Sequence, residues 1–176
     1  IIYFILCISR KRSYKIKKLQ ILEEEKIYKD FEENIKLQSN NDKQLINNVK
    51  LKISTFKNII SPPFNFNNIE QVFDNELDTI GTRFRKVAEK IIFDIYEKKI
   101  GPIDKRIDLS TAIYELNKNK IISEKAKNYL SIVRIYGNIS SHYSKNTEIT
   151  REEAIAIASS LMIVIEEFYE QGLFDL

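Results

Sequence analysis

The chain has 176 residues, 43% hydrophobic and 30% charged, with a net charge of +3, a globular balance with room for one domain and an extension. Four Gly and three Pro supply too few turns for a β-sandwich or barrel. One Cys excludes an intrachain disulfide and a thiolate metal cluster, and one His excludes any site built on two imidazoles.

The charge is unevenly spread. Residues 1–67 carry 13 basic and 7 acidic side chains, whereas residues 68–176 carry 15 and 18. A mildly acidic second part lacks the broad positive surface of a protein that coats nucleic acid. Neither a metal nor a cofactor is expected: Gly-rich phosphate loops are missing, and Glu152-Glu153 and Glu166-Glu167 read as helix-surface charges. With a lone Cys7, a reducing compartment is expected for the folded part.

The first eight residues, Ile1-Ile2-Tyr3-Phe4-Ile5-Leu6-Cys7-Ile8, are apolar, and six basic residues fall between Arg10 and Lys18. Eight residues do not cross a hydrocarbon core, which takes about 20. An apolar run ending in a basic cluster is the pattern at the cytoplasmic end of a membrane-spanning helix. Residues 1–9 are therefore expected to be the end of a transmembrane anchor, with the helical domain in the cytoplasm. The alternatives are a signal-peptide remnant or the apolar start of a soluble helix in a wholly cytoplasmic protein. The basic cluster has a rival reading as a nucleic-acid patch, but only Tyr14 interleaves it with an aromatic ring.

Residues 10–64 read as a basic helical stalk and linker. Within them, 14–38 form a polar helix in which Tyr14, Ile21, Tyr28 and Ile35 recur every seven residues and Phe31 adds a contact. Lys17 and Glu24 interrupt the partner positions, so this is a weak coiled-coil seam, suited to a stalk or a dimerising helix, and a single solvated helix is the competing reading. Gln38-Ser39-Asn40-Asn41-Asp42 reads as a linker. From Leu45 to Ile60, Val49, Leu51 and Ile53 alternate with polar residues, which predicts a short strand or an extended packing arm. Ser61-Pro62-Pro63 breaks the chain, and the domain boundary is placed at 65.

Residues 65–176 predict an all-α domain. The first helix runs from about Asn75 to Lys99, with Leu77, Ile80, Phe84, Val87, Ala88, Ile91 and Ile95 on one stripe, and Gly101-Pro102 stops it. The second starts at the N-cap Asp108, and the third runs from Ser123 to about Ile135. The fourth starts at Thr150-Arg151-Glu152-Glu153, a capping box, and ends near Gly172. Four one-sided helices close most economically as an antiparallel bundle, two long helices outside and two shorter ones between.

The segment with chemical content is Arg134-Ile135-Tyr136-Gly137-Asn138-Ile139-Ser140-Ser141-His142. If the helix runs on through Gly137, Arg134, Asn138 and His142 lie four apart on one face. Gly137 costs such a helix about 1 kcal/mol against Ala, which points to a close backbone approach or a kink. Arg83, Arg85 and Lys86 in the first helix read as a solvated face.

Together with Arg85-Lys86-Val87-Ala88-Glu89-Lys90-Ile91-Ile92, the stretch Leu109 to Ile122 and the long last helix, Arg134-x-x-Gly137-Asn138-x-x-x-His142 resembles domain-of-unknown-function family 4145 over about 68–172. That family is similar to the HEPN domains (higher eukaryotes and prokaryotes nucleotide-binding). The resemblance implies a HEPN-like antiparallel four-helix bundle that forms a homodimer and serves a defence or stress system. In HEPN ribonucleases paired Arg-x4–6-His motifs meet at a dimer interface and cut RNA without metal. By that resemblance His142 is the acid/base, Arg134 the phosphate contact and Asn138 a polar support, while Glu89 matches the family's first-helix carboxylate. Tyr136, Gly137 and Ser141 join Glu89 as candidate binding residues.

Seven residues separate Arg134 from His142, and Gly137 occupies a position that would give the nuclease spacing. The reading that follows is a non-catalytic, membrane-tethered, dimerising interaction module with a protein or RNA partner. Its rivals are a metal-independent ribonuclease using His142 and Arg134, and a nucleotide-binding regulator.

Overall fold

The computed structural model describes residues 18, 21–23, 25–33, 42–56, 73, 77–104, 107–141 and 149–174. Among these the regular structure is entirely helical. A helical segment over 21–23 and 25–33 precedes five longer helices: α1 (Asp42–Thr55), α2 (Leu77–Lys99), α3 (Leu109–Lys118), α4 (Glu124–Ser141) and α5 (Arg151–Glu170).

Local chemistry fixes the helix ends. The Asp108 carboxylate accepts the Thr111 amide at 2.8 Å, and Ser123 Oγ accepts that of Ala126 at 2.9 Å. At α5 both halves of the capping box are made: Glu153 N–H donates to Thr150 Oγ1 at 3.2 Å, and the Thr150 amide donates to Glu153 Oε2 at 2.7 Å. Gly172, in the left-handed region at φ 64°, closes α5 with the paired bonds Gly172 N–H to Tyr169 O and Leu173 N–H to Phe168 O. The same two-bond closure ends α3, but there Lys120 takes the left-handed position at φ 59°. A side chain in that conformation costs about 1–2 kcal/mol. Lys120→Gly is therefore expected to raise stability by about 0.5–1 kcal/mol, read as a higher Tm.

The core is the meeting of one-sided faces. α2 packs most extensively on α4 and also meets α3 and α5, while α4 meets α3 and α5. Ile80, Phe84, Val87, Ala88, Ile91 and Ile95 of α2 are buried, as are Leu130 and Val133 of α4 and Leu161, Met162, Ile165 and Phe168 of α5. The last helix is thus the most apolar wall of a helical bundle.

Two expectations are corrected. The alternation of Val49, Leu51 and Ile53 is not a strand: it lies inside α1. The buried set is Ile46, Val49, Ile53 and Phe56, at three-four spacing, and Leu51 points away, 69% exposed. α1 lies on α5, with Lys52 Nζ bonded to Glu166 Oε2 at 2.5 Å and the Phe56 and Tyr169 rings 5.6 Å apart. The core therefore also takes in residues ahead of 65. The third helix of the domain, α4, does not stop at Ile135 but runs six residues further, through Gly137 to Ser141.

No helix among the described residues is long and apolar enough to cross a membrane. Residues 1–9, on which the anchor expectation rests, lie outside the described residues, as do the Ser61-Pro62-Pro63 break and most of the Gln38–Asp42 linker.

Candidate functional site

Because α4 continues through Gly137, Arg134 and Asn138 fall one turn apart on the same helix. Their side chains have different partners. Arg85, from the middle of α2, reaches across to α4: its Nη1 donates to Asn138 Oδ1 at 2.5 Å, and its Nη2 pairs with Glu89 Oε1 at 2.9 Å one turn along its own helix. The guanidinium thus bridges Glu89 to Asn138, with both charged side chains about 30% exposed (28% and 30%).

Gly137 explains how Arg85 fits. A Cβ built on Gly137 would lie 2.4 Å from Arg85 Cβ, 2.6 Å from its Cδ and 3.0 Å from its Cγ. The Arg85 stem fills the volume that a side chain at 137 would need, so the glycine marks a close approach of α2 and α4. Of the two sequence readings for this glycine, close approach is the one the packing realises.

Arg134 lines a separate cleft between α3 and α4, with Ser110, Tyr114, Lys127, Ser131 and, from the N-terminal segment, Glu23. The enclosed space is about 20 Å³, room for roughly one water. Lys127, its side chain only 14% exposed, bonds to Glu23 at 3.1 Å and Glu124 at 2.9 Å. Burial alone would lower its pKa, but the hydrogen bonds to the two carboxylates outweigh that and hold it above the ordinary lysine value.

Tyr136 is a core residue, 1% exposed. Its ring packs on Tyr28 (centroids 5.4 Å apart) and edge-on to Phe31 (5.8 Å), both from the N-terminal segment. Its hydroxyl reaches Glu153 Oε1 at 3.4 Å, the same carboxylate whose other oxygen caps α5. Burial, then Glu153 and Tyr28, push the Tyr136 phenol far above the ordinary tyrosine range. Tyr28 is pushed up to about 12 by burial and its bond with Glu32. Tyr96 also rises to about 12, first through its hydrogen bond to Glu115, then through burial.

A raised phenol pKa stabilises the fold fully below the unfolded value near 10 and loses that contribution as pH climbs through the folded value. Three of the nine tyrosines are thus expected to ionise late, and the helix signal to fall between about pH 10 and pH 12. Phenolate absorbance and circular dichroism followed in one alkaline titration check this.

Of the sequence-derived site residues, the structure brings Glu89, Gly137 and Asn138 together around Arg85, sets Arg134 in the α3–α4 cleft, and buries Tyr136. Ser141 ends α4, and His142 lies outside the described residues. Sequence reasoning missed Arg85, placing it on a solvated face, and missed Lys127. The signals were there: Glu89 four residues after Arg85, and a helical glycine that needed a neighbour's stem to justify it.

The family model described as Domain of unknown function (DUF4145) matches residues 67–172. The chain belongs to this family. No curated protein and no solved structure matches the chain. The DUF4145 match takes in α2 through α5, and so every member of the Glu89–Arg85–Asn138 bridge, while α1 and the N-terminal helical segment lie ahead of it. The described residues hold no group of three or more His, Cys, Asp or Glu side chains placed to bind a metal.

Proposed function

We propose that this DUF4145 protein is a non-catalytic helical interaction module that dimerises and is tethered to the cytoplasmic face of a membrane through residues ahead of the bundle. The observation that carries the reading is the Arg85 bridge. Asn138 and Glu89, two groups a HEPN-type cleavage site would use, are both bonded to a guanidinium from α2. Gly137, where a HEPN-type spacing calls for an arginine, is filled by the Arg85 stem. A group that already accepts a charge-assisted bond serves better as an inter-helix lock than as a free catalytic contact. The membrane tether draws on the apolar run Ile1–Ile8 and the basic cluster behind it.

The rival is a metal-independent ribonuclease with His142 as acid/base and Arg134 on the phosphate. Purified protein incubated with RNA in the presence of a chelator separates the two. The wild type and a His142→Ala variant are expected to leave the RNA equally intact. Cleavage by the wild type that His142→Ala abolishes would replace the module with the nuclease.

A further inference from the structure

The N-terminal helical segment touches the bundle along one face. Glu23 bonds Lys127 of α4, Ile27 lines the cleft beside it, and the Tyr28 and Phe31 rings lie on Tyr136. These positions are spaced by four, one and three residues, the signature of a helix read from one side. The cleft between α3 and α4, extended to Tyr136, is therefore a helix-docking groove with a cationic socket at one end and an aromatic seat at the other. Charge agrees: residues 21–33 carry six acidic and two basic side chains, and the groove presents Lys127 and Arg134.

The grip is a light one. Ile27, Tyr28 and Phe31 are only partly buried against the core, and Glu23 is half exposed. Ile21, seven residues before Tyr28, continues the docked stripe past the end of the groove and stays 55% exposed, with Leu22 beside it at 52%.

We propose that this groove is where two copies of the chain join, the 21–33 segment of each occupying the groove of the other. The inference rests on the reading of the chain as a dimerising module. The complementarity on view is to this one sequence, and a second copy carries both the segment and the groove. Exchange thus forms two reciprocal contacts about a twofold axis, with no new surface required. Gln38-Ser39-Asn40-Asn41, of linker composition, lies in the sequence between the segment and α1. The overhanging Ile21 and Leu22 are apolar surface left for the second copy.

Charge reversal tests this with the full chain. Glu23→Lys places two cations against each other in one chain, and Lys127→Glu places two anions. Mixed, each segment meets a groove of opposite charge in the other chain, so light scattering and native mass spectrometry are expected to find a heterodimer favoured several-fold over either variant's own dimer. Tyr28→Ala/Phe31→Ala removes the same rings from a closed chain and from an exchanged pair, so it is expected to speed the interconversion of monomer and dimer while the bundle still unfolds cooperatively. A wild type that stays monomeric to submillimolar concentration overturns the proposal. A dimer indifferent to the charge reversals also overturns it, placing the contact on another face while leaving the module reading intact. RNA cleavage lost in His142→Ala defeats the module reading instead, whatever the charge-reversed pair does.

Discussion

Replacing Phe84 with Ala is expected to lower the unfolding free energy by about 3–5 kcal/mol. The ring is fully buried on the α2 face that meets α3, α4 and α5, so three neighbours would have to shift to close the space it leaves. Part of the loss is the transfer of the ring out of an apolar interior, and part is the cavity that survives relaxation. Since domains of this size are stable by about 5–15 kcal/mol, this one change removes a large share of the total, and Tm should fall by about 10 °C. The paired control is Leu51→Ala on α1. Leu51 is as apolar as a core residue but 69% exposed, and its loss should stay within about 0.5 kcal/mol. Denaturant unfolding at unchanged m-value measures both. Equal losses from the two substitutions would mean that the α2 face is not the interior of the bundle.

What the sequence made legible was local. Thr150 with Glu153, Asp108 and Gly172 mark helix ends through groups at most five residues apart, and each does so in the structure. The α2 and α5 stripes were long enough for the three-four spacing to show. α1 was misread because only Val49, Leu51 and Ile53 were weighed. Two of these belong to a helical face whose other members, Ile46 and Phe56, lie outside that short window. Period two and period 3.6 coincide over so few residues.

The site was harder for a different reason. Arg134, Asn138 and His142 share a helical face in the sequence, but what a polar side chain does depends on the neighbour it meets. Asn138 is bonded to Arg85, 53 positions away. The Tyr136 ring is enclosed by Tyr28 and Phe31, more than a hundred residues earlier in the chain. No periodicity carries such pairings. They are set when two faces dock, and only the unexplained glycine inside α4 recorded one of them in the sequence.

That glycine gives the second large effect. Gly137→Ala should destabilise the protein by about 1–3 kcal/mol, against the usual direction of the change. In an open helix the same substitution gains about 1 kcal/mol of helix propensity, partly by restricting the unfolded chain. Here the new methyl would stand 2.4 Å from Arg85 Cβ, where carbon atoms ordinarily rest about 3.5–4.0 Å apart. Arg85 Cβ is fixed to the α2 backbone and cannot swing aside, so either α2 and α4 separate or the helices slide. Movement of the Arg85 stem also strains the bond from its Nη1 to Asn138, and hydrogen bonds to charged groups contribute about 1.5–3 kcal/mol. A double-mutant cycle assigns the cause. In an Arg85→Ala background the Cβ remains and most of the Gly137→Ala penalty should persist. In an Arg85→Gly background the space opens and Gly137→Ala should become neutral or stabilising. A Gly137→Ala variant as stable as the wild type would show that α2 and α4 do not meet closely at this point, and the Arg85 bridge to Asn138 would lose its structural basis.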